Sequence, residues 1–461
     1  MKSTAERFLE LKELTVDVVE PGGHPRKGAL ACRLDRHISF DTEILESFSS
    51  TNWKAVVYDA LVVAAAVEFC DRSLGRSAMN WGRRFYLHVP VHDRDRWSDP
   101  AVMRTLVDAL NLLTGDDWSF EFRGRKAGAA TPAQNRMEFP SDAEAVIAYS
   151  EGMDSCAVDG LERKRLGHRL VRVRVGTKRH DIPRKARTYV PFAALPYKVK
   201  LDGNNAETSA RSRGFKFSIV AAIASYLIHV PSVIVSESGQ GALAPAILPV
   251  GQGYADYRNH PAFSVLMEKF VSTLLEHRLH YCFPRLWMTK GETLREFVDN
   301  CGEDAANWVK TRSCWQQSRQ ASVSGTRRQC GICAACTLRR LSVHAAGLKE
   351  PVETYVWETL KAPTFEEGAA SEFNHITQAL REYALAGVLH FEHFALVRDS
   401  TQYDILKRRA TNELARALSQ PSDVVANSLD RLLQHHATEW SAFTNDLGPS
   451  SFVRKWIDTA S

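Results

Sequence analysis

The pattern of apolar and polar positions divides the chain into stretches of different character. Arg84 to Val91 alternates as a half-buried strand does. Val102, Met103, Leu106, Val107, Leu110 and Leu113 then recur at helical spacing until Gly115 stops the helix, and a second strand is expected around Trp118 to Phe122. Between Arg123 and Pro140, Gly124, Gly128, Thr131, Pro132, Asn135 and Pro140 interrupt any period, which places a domain boundary near Phe139. Beyond it the apolar run Ala145 to Tyr149 meets a glycine-containing turn and the helix-compatible stretch Ser155 to Leu166. Strand-like Leu170 to Val175, helical Phe215 to Ile228 and strand-like Ser232 to Ser236 follow. Strands alternating with helices predict an α/β class, a parallel sheet with helices on both faces. From about Pro351 the stripes are helical, through Tyr383 to Val397 and Asp404 to Leu418, with Pro421 breaking the next segment. The expected organisation is an N-terminal α+β accessory domain over residues 1–139, a central α/β domain over 140–350 and a helical C-terminal region over 351–461.

A content of 44% hydrophobic and 25% charged residues in 461 excludes wholesale disorder and collagen-like repeats. The densest N-terminal apolar run, Ala55 to Phe69, contains Asp59 and is too short to cross a bilayer as an uninterrupted helix. Met1 to Glu13 lacks the apolar core of a signal peptide, so the expected location is the cytoplasm. In that reducing compartment the nine cysteines are not expected to pair as disulfides. The net charge of +5 does not mark a nucleic-acid binder. Eleven Lys and Arg residues between Leu161 and Val190, against Glu162 and Asp181, form either an anion-receiving surface or an ordinary solvated basic face. His88 and His92 fit structural roles in a strand and its turn better than metal ligation.

The candidate chemistry begins at Val146-Ile147-Ala148-Tyr149-Ser150-Glu151-Gly152-Met153-Asp154-Ser155. A strand that stops in a small-residue turn and feeds a helix aims backbone N–H groups and the positive helix end at one point, which favours a phosphate. The hydroxyls of Ser150 and Ser155 can donate to phosphoryl oxygens, and Asp154 can hold Mg²⁺ or orient the turn. Farther on, Cys314 and Cys330-Gly331-Ile332-Cys333-Ala334-Ala335-Cys336 supply four soft ligands, the number a closed tetrahedral Zn²⁺ site needs. An iron–sulfur cluster and free thiols are the rivals; the ferredoxin spacing would place another Cys and a Pro soon after Cys336, where Thr337-Leu338-Arg339-Arg340 stands.

Ser150 to Ser155 resembles the S-G-G-x-D-S pyrophosphate loop of the N-type ATP pyrophosphatases, with Glu151 standing where the family pattern has Gly. Together with the cysteine cluster, it is similar to 7-cyano-7-deazaguanine synthase, the QueC family. Ser209 to Ser218 resembles that family's helix-opening segment near the nucleotide, Thr289-Lys290-Gly291-Glu292 its Thr-Lys-x-Glu turn, and Gly176 with Arg179 and His180 its Gly-Gln-Arg-His loop. The resemblance covers about Ala143 to Leu348, and the first cysteine gap is longer than the family usually shows. The added N- and C-terminal regions resemble the QueC-like proteins of bacterial antiphage operons.

The resemblance implies an adenine nucleotide alpha hydrolase-like fold, structural zinc, and ATP with Mg²⁺. It implies ATP-dependent adenylation of 7-carboxy-7-deazaguanine and amide formation with an amine of a partner protein in antiviral defence. Residues 150–155 would then bind ATP, and Asp154, Lys290 and Arg213 would serve the chemistry. Glu237, Gly239 and Lys216 would contact the deazapurine acid or its nucleotide partner. The alternatives are the housekeeping synthase using ammonia, a nucleotide-binding scaffold weakened by Glu151, whose carboxylate repels pyrophosphate, and a tRNA-modifying enzyme using the basic stretch. A homodimer is compatible with all of them.

Overall fold

The computed structural model describes residues 11–41, 54–77, 80–126, 142–176, 192–248, 253–316 and 320–460. The boundary placed at Phe139, and Arg179 and His180, lie outside them. The first elements along the chain are β1 (Lys12–Val19), β2 (Leu30–Arg33), β3 (Ile38–Phe40), α1 (Ala55–Ser73), β4 (Arg83–Val91), α2 (Pro100–Thr114) and β5 (Asp117–Gly124). They are followed by β6 (Ala145–Tyr149), α3 (Met153–Leu166), β7 (Leu170–Arg174), β8 (Tyr197–Val199), α4 (Arg213–Leu227), β9 (Ser232–Ile234), α5 (Gly239–Ile247), α6 (Pro261–Leu275), β10 (His280–Cys282) and α7 (Lys290–Asn300). After a short hairpin at residues 322–327 come α8 (Ala334–Ala345), α9 (Gln378–Leu396), α10 (Tyr403–Leu418), α11 (Ser422–Leu447) and α12 (Phe452–Ala460). The chain is α/β, with parallel sheets flanked by helices and a helical C-terminal region.

Two compact units form. The first comprises residues 1–150, 166–235 and 252–284; the second comprises 151–165, 236–251 and 285–461.

The first unit holds two four-stranded sheets, ordered β2-β1-β4-β5 and β10-β9-β6-β7, and every pairing in both is parallel. The N-terminal region is therefore α/β, where the alternation of Arg84 to Val91 alone suggested α+β. The difference arises at β1, whose Val16, Val18 and Val19 are buried beside a buried Asp17. From β1, the chain crosses over through α1 to reach β4, and such a crossover makes the pairing parallel. Helix α1 lies between β4 and α4, which explains an apolar surface that runs almost all round it.

Pro100 and the Asp99 cap open α2, and Gly115 at φ 68° closes it. Phe85, Leu87 and Val89 of β4 are fully buried. The alternate residues form polar ladders instead, with Arg84 bridging Glu13 at 2.7 Å and Asp117 at 2.9 Å. In the second sheet, β7 and β9 flank β6 on opposite sides, so the strand order reverses between β6 and β9. Ligands of open α/β sheets gather beyond the carboxyl ends of strands at such a reversal.

The second unit packs α7, α8, α9, α11 and α12 around two apolar clusters. One joins Met153, Cys156 and Leu161 of α3 to Leu294 and Phe297 of α7 and to Trp308. The other joins Cys330, Cys333 and Cys336 to Trp357, Phe391, Trp440 and Phe452. The C-terminal helices thus share a core with the cysteine cluster. Among the described residues, no helix is long and apolar enough to cross a membrane.

Candidate active site and metal centre

Strand β6 ends at Tyr149 and α3 begins at Met153, leaving Ser150, Glu151 and Gly152 to make the turn. Glu151 takes φ 60°, the left-handed region that a side chain enters only at a cost. The glycine of the resembled loop meets that backbone demand without strain. The Gly152 carbonyl accepts the Ser155 hydroxyl at 3.1 Å and the Cys156 N–H at 3.0 Å, so the 2%-exposed Ser155 closes the turn from inside. Met153 is buried in the α3–α7 cluster, which anchors the helix start. Next to the turn in the first unit, Gly176 passes so near Ser150 that an added Cβ would lie 2.7 Å from its carbonyl oxygen.

Within the second unit, three helix N-termini meet at Asp154. This residue is the second of α3, Ser238 is the N-cap of α5, and Lys290 is the first residue of α7. The Lys290 ammonium forms an ion pair with Asp154 Oδ2, and the Ser238 hydroxyl donates to Asp154 Oδ1 at 3.3 Å. Both charged side chains are largely shielded, at 8% and 13% exposure. Glu292, in the first turn of α7, is paired with Arg431, so three positive helix ends and one ammonium against Asp154 leave a surplus of positive potential, the condition for receiving an anion.

The pair is fixed from behind. Thr289 caps α7 by accepting the Glu292 N–H at 3.0 Å, while the Glu292 carboxylate accepts the Thr289 N–H at 2.8 Å. The Lys290 N–H donates to Gln240 Oε1 at 2.8 Å, and Gln240 Nε2 lies 2.8 Å from His436 Nδ1. His436 Nε2 is 3.0 Å from the Phe391 carbonyl. Because that carbonyl can only accept, Nε2 carries the proton and Nδ1 accepts from Gln240. Burial pushes His436 down to about 4, so the ring is neutral. The Thr289 hydroxyl also donates to Glu439 at 2.5 Å, and burial pushes this carboxyl up to about 7, against the effect of that bond.

The remaining expected residues fall as follows. Glu237 is half-buried against Gly241, where a Cβ would lie 2.2 Å from its Oε1. Gly239 donates to the Met288 carbonyl at 3.0 Å and has no room for a side chain, since a Cβ would sit 2.3 Å from the Leu286 oxygen. Arg213 and Lys216 belong to the first unit. There Lys216 is 94% buried, pairs with Glu68 at 2.8 Å and covers the Tyr197 ring, so its charge is already satisfied. Arg213 stacks over Phe217, and burial followed by the neighbouring Arg258 pushes it down to about 10. His88 binds Asp17 and His92 binds Asp59. Neither Gln240 nor His436 carries a sequence signal, because 196 positions separate them. Thr289 and Glu292 do, as a capping box.

Cys314, Cys330, Cys333 and Cys336 bring their sulfurs within 4.8 Å of one another, and the group could hold a metal ion such as zinc. Tetrahedral Zn–S bonds of about 2.3 Å put sulfurs roughly 3.8 Å apart, and Cys330 and Cys336 stand at 3.8 Å. Gly331 at φ 87° turns the chain inside the first C-x-x-C step. The Cys330 N–H donates to Cys314 Sγ at 3.2 Å and the Cys333 N–H to Cys330 Sγ at 3.3 Å. The Cys314 thiol is held far below its ordinary value by hydrogen bonds from Cys330, Cys333 and Cys336, whereas burial raises Cys330 and Cys336. Such N–H···S contacts and a favoured thiolate fit a soft, doubly charged cation. No protein-family model, curated protein or solved structure matches the chain.

Proposed function

We propose that the chain is an ATP-dependent ligase of the QueC-like kind, which adenylates 7-carboxy-7-deazaguanine and joins it to an amine of a partner protein in antiphage defence. The observation that carries this reading is the convergence of three helix N-termini and Lys290 on Asp154, directly after the turn that resembles a pyrophosphate loop. Adenylation suits a carboxylic acid because hydroxide leaves poorly, while the mixed anhydride expels AMP readily. The acid's oxygen attacks the α-phosphorus and pyrophosphate departs; the amine then attacks the acyl carbon and AMP departs. Lys290 and the helix-end amides would stabilise charge growing on the phosphates, and the buried contacts through Gln240 and Thr289 would keep them in place. Asp154 is the carboxylate available to Mg²⁺, which would neutralise phosphate charge. The cysteine cluster would hold structural zinc.

Purified protein given ATP, Mg²⁺ and the carboxydeazaguanine is expected to release pyrophosphate, and a co-expressed neighbour protein to gain the mass of one deazaguanine acyl group. Nucleotide binding without pyrophosphate release from any acid tested would reject the ligase. That outcome belongs to the scaffold reading, which the strained Glu151 favours, since its carboxylate stands in the turn itself.

A further inference from the structure

Beside the four cysteines stands a cation that no carboxylate answers. Helix α8 carries Cys336 in its first turn and Arg340 four residues later, so the two side chains share a face. The half-buried Arg340 donates from Nη2 to the Trp357 carbonyl and lies against Gly331, where an added Cβ would sit 2.9 Å from that nitrogen. Gly331 follows Cys330 within the first C-x-x-C step, and the Trp357 N–H returns to the Cys330 carbonyl at 3.0 Å. The guanidinium is thus tied to the backbone of the cysteine loop. Its carbon lies 3.8 Å from the centre of the Tyr355 ring, and its Nε is buried with no hydrogen-bond partner.

The neighbouring Arg339 forms an ion pair with Glu350 at 2.7 Å; Arg340 forms none among the described residues. Burial is the largest influence on Arg340 and draws its pKa below the ordinary arginine value, while Tyr355, Cys336, Glu350 and Cys330, in that order, act against burial. Two of those four are already accounted for. Burial pushes the Tyr355 phenol well above its ordinary value, which leaves it neutral at pH 7. Glu350 is taken by the fully buried Arg339 and by the Tyr355 hydroxyl. What remains to face Arg340 is sulfur, at Cys330 and Cys336.

Metal-bound cysteines are thiolates, and four of them around a divalent ion carry two negative charges in excess. In a closed interior such charge is costly unless cations stand close by. Helix α8, with Cys333 as its N-cap, turns its positive end toward these sulfurs. We propose that Arg340 is the countercharge of the cysteine centre, holding a divalent ion there more tightly by offsetting the excess charge of its four thiolates. Arg340 is not itself a ligand and acts through the sulfurs. The inference rests on the reading that the four cysteines hold a metal ion; all the groups involved belong to the second unit.

The test unfolds the full chain in urea, refolds it at free Zn²⁺ concentrations fixed by chelator buffers, and measures bound zinc per chain. Arg340→Gln, which keeps a donor and loses the charge, is expected to need about ten- to a hundredfold more free Zn²⁺ for half-loading than the parent. Arg340→Lys, which keeps the charge, should need less than Arg340→Gln. If Arg340→Gln does not refold, the rate at which the natively produced variants surrender zinc to excess chelator replaces the loading curve, with faster release from Arg340→Gln than from Arg340→Lys. Half-loading or release in Arg340→Gln equal to that of the parent, or equal shifts in the two variants, overturns the countercharge. A parent that takes up no zinc at any concentration rejects the metal centre itself, and this inference with it.

Discussion

Lys290 and Asp154, 136 positions apart, close an ion pair between the first turns of two helices. Neither charge has another fixed partner of opposite sign among the described ion pairs. A ligand phosphate can therefore take Lys290 from Asp154 and free the carboxylate for a cation. Lys290→Met is expected to reduce pyrophosphate release by about a hundredfold or more, the usual loss when one preorganised donor to a charged transition state is removed. Asp154→Asn should weaken the Mg²⁺ dependence of the same assay. Unchanged rates in both would sink the assignment of this pair to the chemistry.

At Glu151 the φ of 60° predicts a gain from glycine. Relief of the left-handed penalty is worth about 1–2 kcal/mol, and the extra freedom of glycine in the unfolded chain returns about 0.5–1 kcal/mol. Glu151→Gly should therefore stabilise the protein by up to about 1.5 kcal/mol in urea titration. Pyrophosphate release rises as well if the carboxylate obstructs the nucleotide, and falls if the site uses it.

Gly239→Ala has the opposite sign. The new Cβ would sit 2.3 Å from the Leu286 oxygen and 2.5 Å from Leu432 Cδ2, and backbone cannot yield as a flexible side chain does. A loss of about 1–3 kcal/mol is expected in the same titration.

Glu439 titrates at about 7 in the folded chain, against an ordinary 4.5. Between those values the folded state keeps a proton that the unfolded state has lost, so this group lowers stability as pH rises from 4.5 to 7 and adds nothing further above. Glu439→Gln should match the parent in melting temperature near pH 4.5 and exceed it from pH 7 upward. His436 acts in reverse, because its folded value near 4 lies below 6.5 and stability is lost as pH falls through that window. A pH-independent difference between Glu439→Gln and the parent would refute the buried carboxyl's role.

Elemental analysis should find equimolar zinc. Cys333→Ser should lose it and unfold the second unit at lower temperature, because a fully buried sulfur ligand is removed. Full metal content in that variant would exclude the four-sulfur centre.

The central strands and helices were legible because each carries one unambiguous period: β4 alternates, α2 repeats at helical spacing to Gly115, and β6 is a compact apolar run before a small-residue turn. Strand β1 carries the same alternation, Leu14, Val16 and Val18 against Glu13, Thr15 and Asp17, but no spacing along the chain shows that Asp17 is buried and bonded to His88. The turn at 150–155, Lys290 and the four cysteines stood out as local motifs. Ser238, Gln240, His436 and Glu439 did not, because their roles come from helices that meet in space and not from any spacing along the chain.

Three of the four sulfurs lie at zero exposure in the same apolar cluster as Trp357 and Trp440. Only Cys314 is half-exposed, so an ion would reach the other three sulfurs most easily before the last helices dock. Cellular zinc supply during synthesis would then govern how much of this chain matures at all, and protein made under zinc starvation should not be rescued by adding the ion afterwards without first being unfolded.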